Sequence, residues 1–453
     1  MRSTFKRLGW YSLFVLLALI LLYALGRPIH IWIDGFYSGE RGPYLQMPAP
    51  TAITLRWQAA EPVRAEVRYG TDPRQLGERR ATEKAGEQHE IRLSGLAPDT
   101  RYYYAIYHDG ERAHGGEGYS FRTPPPTGVA RPLRLWVLGD PGYAGTNQQQ
   151  VRDAALAWID RHPRAGLPGL DVWLTTGDNA YTSGSNPQFQ QAFFEPYADL
   201  LRQQPVWPAY GNHDARRRVF YDIFSLPGAG ESGGLASGTE HYYSFDYANL
   251  HVIMLDSEAG DLGRASPMLE WLQEDLAATQ QPWKIAVLHH PPYTRGSHDS
   301  DDIFDSGGRM FEVRRNLLPL LEQAGVQLVL AGHSHMYERS YPLRCHYGTA
   351  HSLQPNMIVS RQIGPGSVYS SYGTVYAVVG SSSKLDNGPL DHPALPVSLG
   401  SLGSMIIDIE EHRLTAHFID AQGEVRDAFV IRRGMGDAIG LERKCSVLPA
   451  AAP

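Results

Sequence analysis

Five short clusters in this sequence carry side chains able to hold metal ions. They are Gly139-Asp140-Pro141-Gly142, Gly177-Asp178-Asn179-Ala180-Tyr181, Gly211-Asn212-His213-Asp214, His289-His290-Pro291-Pro292 and Gly332-His333-Ser334-His335. Each follows an apolar run. A glycine lets the chain turn sharply out of a strand, and the next residue can then project a carboxylate, amide or imidazole into a shared crevice. Oxygen donors suit hard cations, imidazoles suit zinc, iron and other first-row metals, and the set is too large for one ion. Two ions about 3.5–4 Å apart and sharing a carboxylate would use all of it, and such a pair is the recurring device for displacement at phosphorus. Taken singly, each residue has a plainer reading: Asp140 and Asn212 as ordinary turn residues, His333 and His335 as a solvated turn, Tyr181 as a packed aromatic. Their recurrence in order after five apolar runs favours a dinuclear centre.

The elements that must position these clusters can be read from hydrophobic rhythm. Runs at 133–138, 172–176, 206–209, 251–255, 285–288 and 326–331 read as buried strands, several of them parallel. Between them, 148–162 places Val151, Ala155, Trp158 and Ile159 at helical spacing, and Ser266-Pro267 looks like a cap followed by a first-turn proline. Pro319 weakens or kinks a helix over 314–325. The expectation is a layered α/β domain over 131–434, with its site beyond the carboxyl ends of the strands. Runs at 404–409, 414–419 and 429–432 should finish the sheet, with Gln422-Gly423 as a hairpin, and 383–402 reads as a long ordered loop near the site. Glu338 and Arg339 read as an ion pair or hydrogen bonds beneath the last cluster.

Residues 29–127 have a different rhythm. Strand-like runs at 52–57, 65–69, 89–93 and 102–107, separated by turn clusters, predict an all-β sandwich serving as spacer or platform. Pro124-Pro125-Pro126 reads as a stiff boundary. At the start, Arg2, Lys6 and Arg7 precede an uncharged apolar stretch from Leu8 to Gly26, closed by Arg27. This predicts an export signal over 1–27, read as an uncleaved membrane anchor, with a cleaved signal and a released protein as the alternative, and with the rest of the chain on the far side (periplasmic or extracellular). Residues 435–453 read as a C-terminal tail.

The chain has 453 residues, 42% of them hydrophobic, enough for two or three domains with large cores. A net charge of −7 without a dense basic run argues against nucleic-acid binding. Only Cys345 and Cys445 are present, so any metal must rest on nitrogen and oxygen. Outside the cytosol the two could form one disulfide, although two unpaired core thiols would look the same in sequence.

The order and chemistry of the five clusters resemble the metallophosphoesterases of the calcineurin-like fold. The tyrosine of Gly177-Asp178-Asn179-Ala180-Tyr181, together with Gly332-His333-Ser334-His335-Met336-Tyr337-Glu338-Arg339, resembles the purple acid phosphatases. Leu96 to Tyr104 and Arg41 to Gln46 resemble parts of fibronectin type III-like sandwiches. The resemblance implies a four-layer α/β (α+β) sandwich behind an all-β fibronectin type III-like domain. Other members of the fold carry a His where this chain has Gly142, and Tyr181 would supply the missing ligand.

Carried over by resemblance, Asp140, Tyr181 and His335 would bind a first ion, Asp178 would bridge, and Asn212, His290 and His333 would complete a second site. A phenolate donor implies Fe(III) at the first position, with Fe(II), zinc or manganese at the second. In the fourth cluster the motif favours His290 as ligand and leaves His289 as a support. His213 would contact the phosphoryl group or the ligating carboxylates, and His298 would help bind phosphate or protonate the leaving alcohol. The implied activity is hydrolysis of small phosphate monoesters by water acidified between two cations and attacking phosphorus in line. The alternatives are a diester, nucleotide or pyrophosphate hydrolase with the same metals, or a non-catalytic surface protein. The sequence leaves the oligomeric state open.

Overall fold

The computed structural model describes residues 39–216, 218–434 and 445. The expected anchor over 1–27 lies outside the described residues, as does the tail over 435–453 apart from Cys445. Among the described residues, no helix is long and apolar enough to cross a membrane.

The first part is a β-sandwich, as its alternating pattern predicts. Arg41–Ala49, Ala52–Val63 and Gly86–Ser94 form a three-stranded antiparallel sheet. Glu78–Ala81, Ala65–Gly70, Arg101–His108 and Glu111–Arg122 form a four-stranded one. Leu45, Ile53, Leu55, Trp57, Val67 and Ile106 fill the space between them. The sandwich sits directly on the rest of the chain: Arg41 Nε donates to Gln190 (3.1 Å), Arg56 Nη2 to the carbonyl of Asp222 (2.6 Å), and the Tyr104 hydroxyl to the carbonyl of Arg202 (2.8 Å). Arg131 ties Asp99 to the buried Asp171 at 2.7 Å on each side. Pro124 and Pro125 are buried and Pro126 is exposed.

Two mixed seven-stranded sheets make up the larger part. One runs in the order Val206–Pro208, Val172–Thr175, Leu133–Leu138, Gly403–Glu410, Arg413–Asp420, Val425–Arg432, Ser367–Ser370. The other runs Tyr243–Tyr247, Leu250–Met254, Trp283–Val287, Leu328–Ala331, Val375–Val379, Tyr337–Arg339, Val397–Leu399. The sheets face each other. Val252, Met254, Ile285, Val287 and Leu330 pack towards Leu135, Val137, Ile407 and Phe418 of the first sheet. Their alternates Ile253, Leu255, Ala286, Leu288 and Val329 pack outward on Met268, Leu272, Leu317 and Leu321. Stacked rings join the sheets at two places: Trp207 on Phe245 at 3.8 Å, and Tyr337 on Phe418 at 4.0 Å. Each such pair is worth about 0.5–1.5 kcal/mol beyond its burial.

Helix Thr146–Arg161 buries Val151, Ala155, Trp158 and Ile159, the residues that helical spacing selects. Helix Pro267–Ala278 starts on Ser266, whose hydroxyl accepts from the N–H of Leu269. The segment around Pro319 is not one regular helix. A π-helical turn, Val313–Leu317, hands over to an α-helix, Leu318–Gln323, with the proline in its first turn. The 383–402 loop is ordered around one short strand, Val397–Leu399.

Candidate metal centre

Three of the five clusters leave parallel strands of the first sheet, after Leu138, Thr175 and Pro208. The other two leave parallel strands of the second, after Val287 and Ala331. The carboxyl ends of both sheets thus open onto one crevice.

The backbone there is arranged differently from the sharp glycine turn expected. The left-handed residues are Asp140 (φ 53°), Asp178 (φ 53°) and His333 (φ 67°), each immediately after its glycine. Non-glycine residues in this region store strain of about 1–3 kcal/mol each, which surrounding structure must hold. Gly177 alone among the cluster-opening glycines has positive φ (98°). The others supply room. A Cβ at Gly211 would press on the backbone and carboxylate of Asp178, and one at Gly332 on the carboxylate of Asp140.

Asp140, Asp178 and His289 each offer an atom within 4.8 Å of the others, and all three are buried. The Tyr181 hydroxyl lies 3.1 Å from Asp140 Oδ1, 2.8 Å from Asp178 Oδ2 and 2.9 Å from His335 Nε2. Asn212 Oδ1 lies 2.9 Å from His289 Nε2 and 3.1 Å from His333 Nδ1.

Hydrogen bonds on the far side of each ring determine which nitrogen faces inward. His289 Nδ1 is held by the carbonyl of Thr176 at 2.9 Å, which leaves Nε2 as the free donor. Asp386 holds His335 Nδ1 at 2.6 Å, again presenting Nε2. Ser306 holds His333 Nε2 at 2.6 Å, presenting Nδ1 instead.

His290 is the correction. Its Nδ1 meets Ser257 Oγ (3.1 Å), which already accepts the N–H groups of both His289 and His290, and its Nε2 faces Glu258 at 3.7 Å. His289, expected to be a support, occupies the place expected for His290. Successive side chains at the end of a strand point in opposite directions, so a shift of one residue decides which imidazole enters the crevice.

His213 and His298 flank the cluster. The His213 backbone N–H donates to Asp178 Oδ1 (2.8 Å), and its Nδ1 meets the carbonyl of Thr182 (2.7 Å), leaving Nε2 3.9 Å from Asp178. His298 lies over His333, with Nδ1 on Asp305 (2.9 Å). Sequence reading missed Asp386, Ser306 and Asp305, which lie away from the five clusters, and Thr176, which adjoins Gly177 but contributes only a backbone carbonyl. Asp214 lies inside one: it accepts from the N–H groups of Gly211 and Asn179 and ties two clusters together. Glu338 and Arg339 do not pair with each other. Glu338 accepts from the N–H of Arg295 (3.1 Å) beneath the loop that carries His298, and Arg339 grips Asp427.

The electrostatics fit a cationic occupant. Asp140 and Asp178 are buried side by side, and among the described residues their ion-pair partners are histidines only. Burial, then Asp140 and Asp178, pushes the Tyr181 phenol well above its usual pKa. Asp214 is raised to about 8 by burial and then by Asp178. Burial opposes the charged form of His289, yet Asp178 and Asp140 hold its pKa above the ordinary value. Burial followed by neighbouring imidazoles keeps His333 well below its ordinary value, neutral and able to ligate. Buried carboxylates without a lysine or arginine, beside oriented imidazoles, are the donor set a pair of metal ions requires.

A sheet-on-sheet core with this donor set at its joined strand ends defines a calcineurin-like phosphoesterase domain, and residues 133–337 match the Calcineurin-like phosphoesterase family model. Residues 41–123 match that of the purple acid phosphatase N-terminal domain. The chain thus carries a calcineurin-like phosphoesterase domain behind a purple acid phosphatase N-terminal domain, the arrangement of the purple acid phosphatase-like metallophosphoesterases. Among its relatives, purple acid phosphatase 21 of Arabidopsis thaliana is 29% identical over 299 residues, covering 62% of each chain. Acid phosphatase type 7 of Mus musculus is 27% identical over 369 residues, covering 74% of this chain and 75% of that one. The match spans only 54% of Arabidopsis purple acid phosphatase 22, and so between about half and two thirds of these plant relatives. In fold, the chain is similar to purple acid phosphatase PPD1 from yellow lupin (Lupinus luteus) seeds, with a TM-score of 0.71 at 18% identity over 91% of this chain and 78% of that one.

Proposed function

We propose that this chain hydrolyses small phosphate monoesters at a centre of two metal ions. The observation that carries this reading is the convergence of Asp140, Asp178, Tyr181, Asn212, His289, His333 and His335 on one crevice, with the outward nitrogens of the three histidines already hydrogen-bonded. Asp140, Tyr181 and His335 would hold one ion, Asn212, His289 and His333 the other, and Asp178 would lie between them. The phenol of Tyr181 suits Fe(III) at the first position, and the nitrogen and amide donors suit Fe(II), zinc or manganese at the second. When bound, the ions would acidify a water and neutralise phosphate oxygens.

The chain's own residues do the rest. The carbonyl of Thr182 turns His213 so that Nε2 meets the phosphoryl group, and Asp305 holds His298 with Nε2 free to give a proton to the departing alcohol. Tyr143, stacked on Tyr181 at 4.1 Å, restrains that ring and limits water on its outer side.

The division into 29–127 and 131–434 is supported by the two matched families. Export and membrane attachment through 1–27 remain part of the proposal, and the Cys345–Cys445 disulfide supports an oxidising compartment.

The test is to assay metal-loaded protein on p-nitrophenyl phosphate and on bis(p-nitrophenyl) phosphate. Higher kcat/KM on the monoester is expected. Preference for the diester would replace this reading with a phosphodiesterase, and no turnover of either would remove it.

A further inference from the structure

Arg216, Arg217 and Arg218 follow closely on His213, a local reversal of sign in a chain of net charge −7. Arg216 and Arg218 line a cavity of about 600 Å³ together with Tyr210, Tyr221, Glu240 and His241. Both arginines are exposed, and among the described residues neither is paired with a carboxylate. The acids nearby are engaged elsewhere: Glu240 accepts from the N–H of Leu226 (2.9 Å), and Asp256 holds His241 Nδ1 (2.8 Å). The Tyr221 hydroxyl lies 2.9 Å from the same nitrogen.

The residues lining the cavity adjoin those of the metal centre along the chain. Tyr210 precedes Gly211-Asn212, and the 3-10 turn Asp214–Arg216 continues directly from His213. On the other side, Asp256 leads into Ser257 and Glu258, the two residues that face His290.

Resting on the monoesterase reading, we infer that this cavity is a second anion subsite, receiving a phosphate group carried by the leaving portion of the substrate. Guanidinium groups grip phosphate oxygens in pairs, and here, among the described residues, neither is held in an ion pair, although Glu240 shares the wall. An acidic protein repels a polyanion overall, so a local basic pocket beside the reacting centre is what would draw one in. Contacts made there would also position the reacting phosphoryl group. The preferred substrates are then monoesters whose alcohol bears a further phosphate.

The test compares kcat/KM of metal-loaded protein within two pairs, fructose 6-phosphate against fructose 1,6-bisphosphate and AMP against adenosine 3′,5′-bisphosphate, with p-nitrophenyl phosphate as reference. The variant carries Arg216→Ala and Arg218→Glu together. The control is Arg74→Ala, an exposed arginine of the sandwich. Wild type should prefer the doubly phosphorylated member of at least one pair by about tenfold, and the double variant should lose that preference, as expected for one charge-assisted contact. Its rate on p-nitrophenyl phosphate should stay within about twofold of wild type, since that substrate has no second phosphate. Equal losses on both members of each pair, or no preference in wild type, would overturn the subsite while leaving the monoesterase reading intact. Wild type inert on p-nitrophenyl phosphate would remove both.

Discussion

The ring of His298 lies on the ring of His333, centroids 3.9 Å apart and planes 21° from parallel, and both rings are tied to one turn. His298 Nδ1 meets Asp305, His333 Nε2 meets Ser306, and the Ser306 hydroxyl donates to Asp305 (2.7 Å). A proposed proton donor and a proposed metal ligand are therefore positioned by the same two residues.

Replacing His298 with Gln should lower kcat by about 10²-fold or more while leaving metal content unchanged. If His298 protonates the departing alcohol, the loss should be larger for alkyl phosphates than for p-nitrophenyl phosphate, whose leaving group needs no proton. Rates across leaving groups of graded pKa measure this; equal losses throughout would assign His298 to phosphate binding only.

Tyr181→Phe removes the hydroxyl that meets Asp140, Asp178 and His335. With Fe(III) beside that phenol, purified protein should show a broad visible absorption that disappears in the variant. A colourless, fully active wild type would instead point to zinc or manganese at both positions.

The crowding at Gly211 predicts that Gly211→Ala displaces the Asp178 carboxylate. Metal content and turnover should fall together by about tenfold or more, with far-ultraviolet circular dichroism unchanged, because the effect is a loss of ligand geometry. Wild-type metal content in the variant would show that the crevice relaxes easily.

Much of this was legible in the sequence because both signals are periodic. The runs ending at Leu138 and Ala331 are apolar at every position, as strands covered on both faces must be, and the polar clusters after them stand out. The choice between His289 and His290 was not legible: two adjacent histidines before a proline have the same composition in either register, and only the pleat separates them. Nor were Asp386 and Ser306, whose roles depend on loops folding back over the strand ends. Cys345 and Cys445, separated by 100 positions, are joined by a disulfide, which spacing alone left open.

Away from the centre, His251 Nδ1 meets Asp246 and Nε2 meets Asp275, each at 2.8 Å, linking an edge strand to helix Pro267–Ala278. Burial opposes its charge, but hydrogen bonds to the two carboxylates raise its pKa from 6.5 to about 9. A group raised in the folded state stabilises fully below its unfolded pKa, so this contribution is complete below about pH 6.5 and is lost as pH rises through about 9. It is on the order of 3 kcal/mol. Thermal unfolding from pH 6 to 10 should show wild type losing stability relative to His251→Gln across that interval; parallel curves would show that His251 is neutral in the folded protein.

The dinuclear centre is tested most directly by counting metal ions per chain in wild type and in Asp178→Ala, with turnover of p-nitrophenyl phosphate measured on the same samples. Asp178 lies between the two proposed positions, so wild type should hold two ions, and the variant should lose both ions and turnover together. Full hydrolysis by Asp178→Ala, or a wild type fully active with one ion, would contradict it.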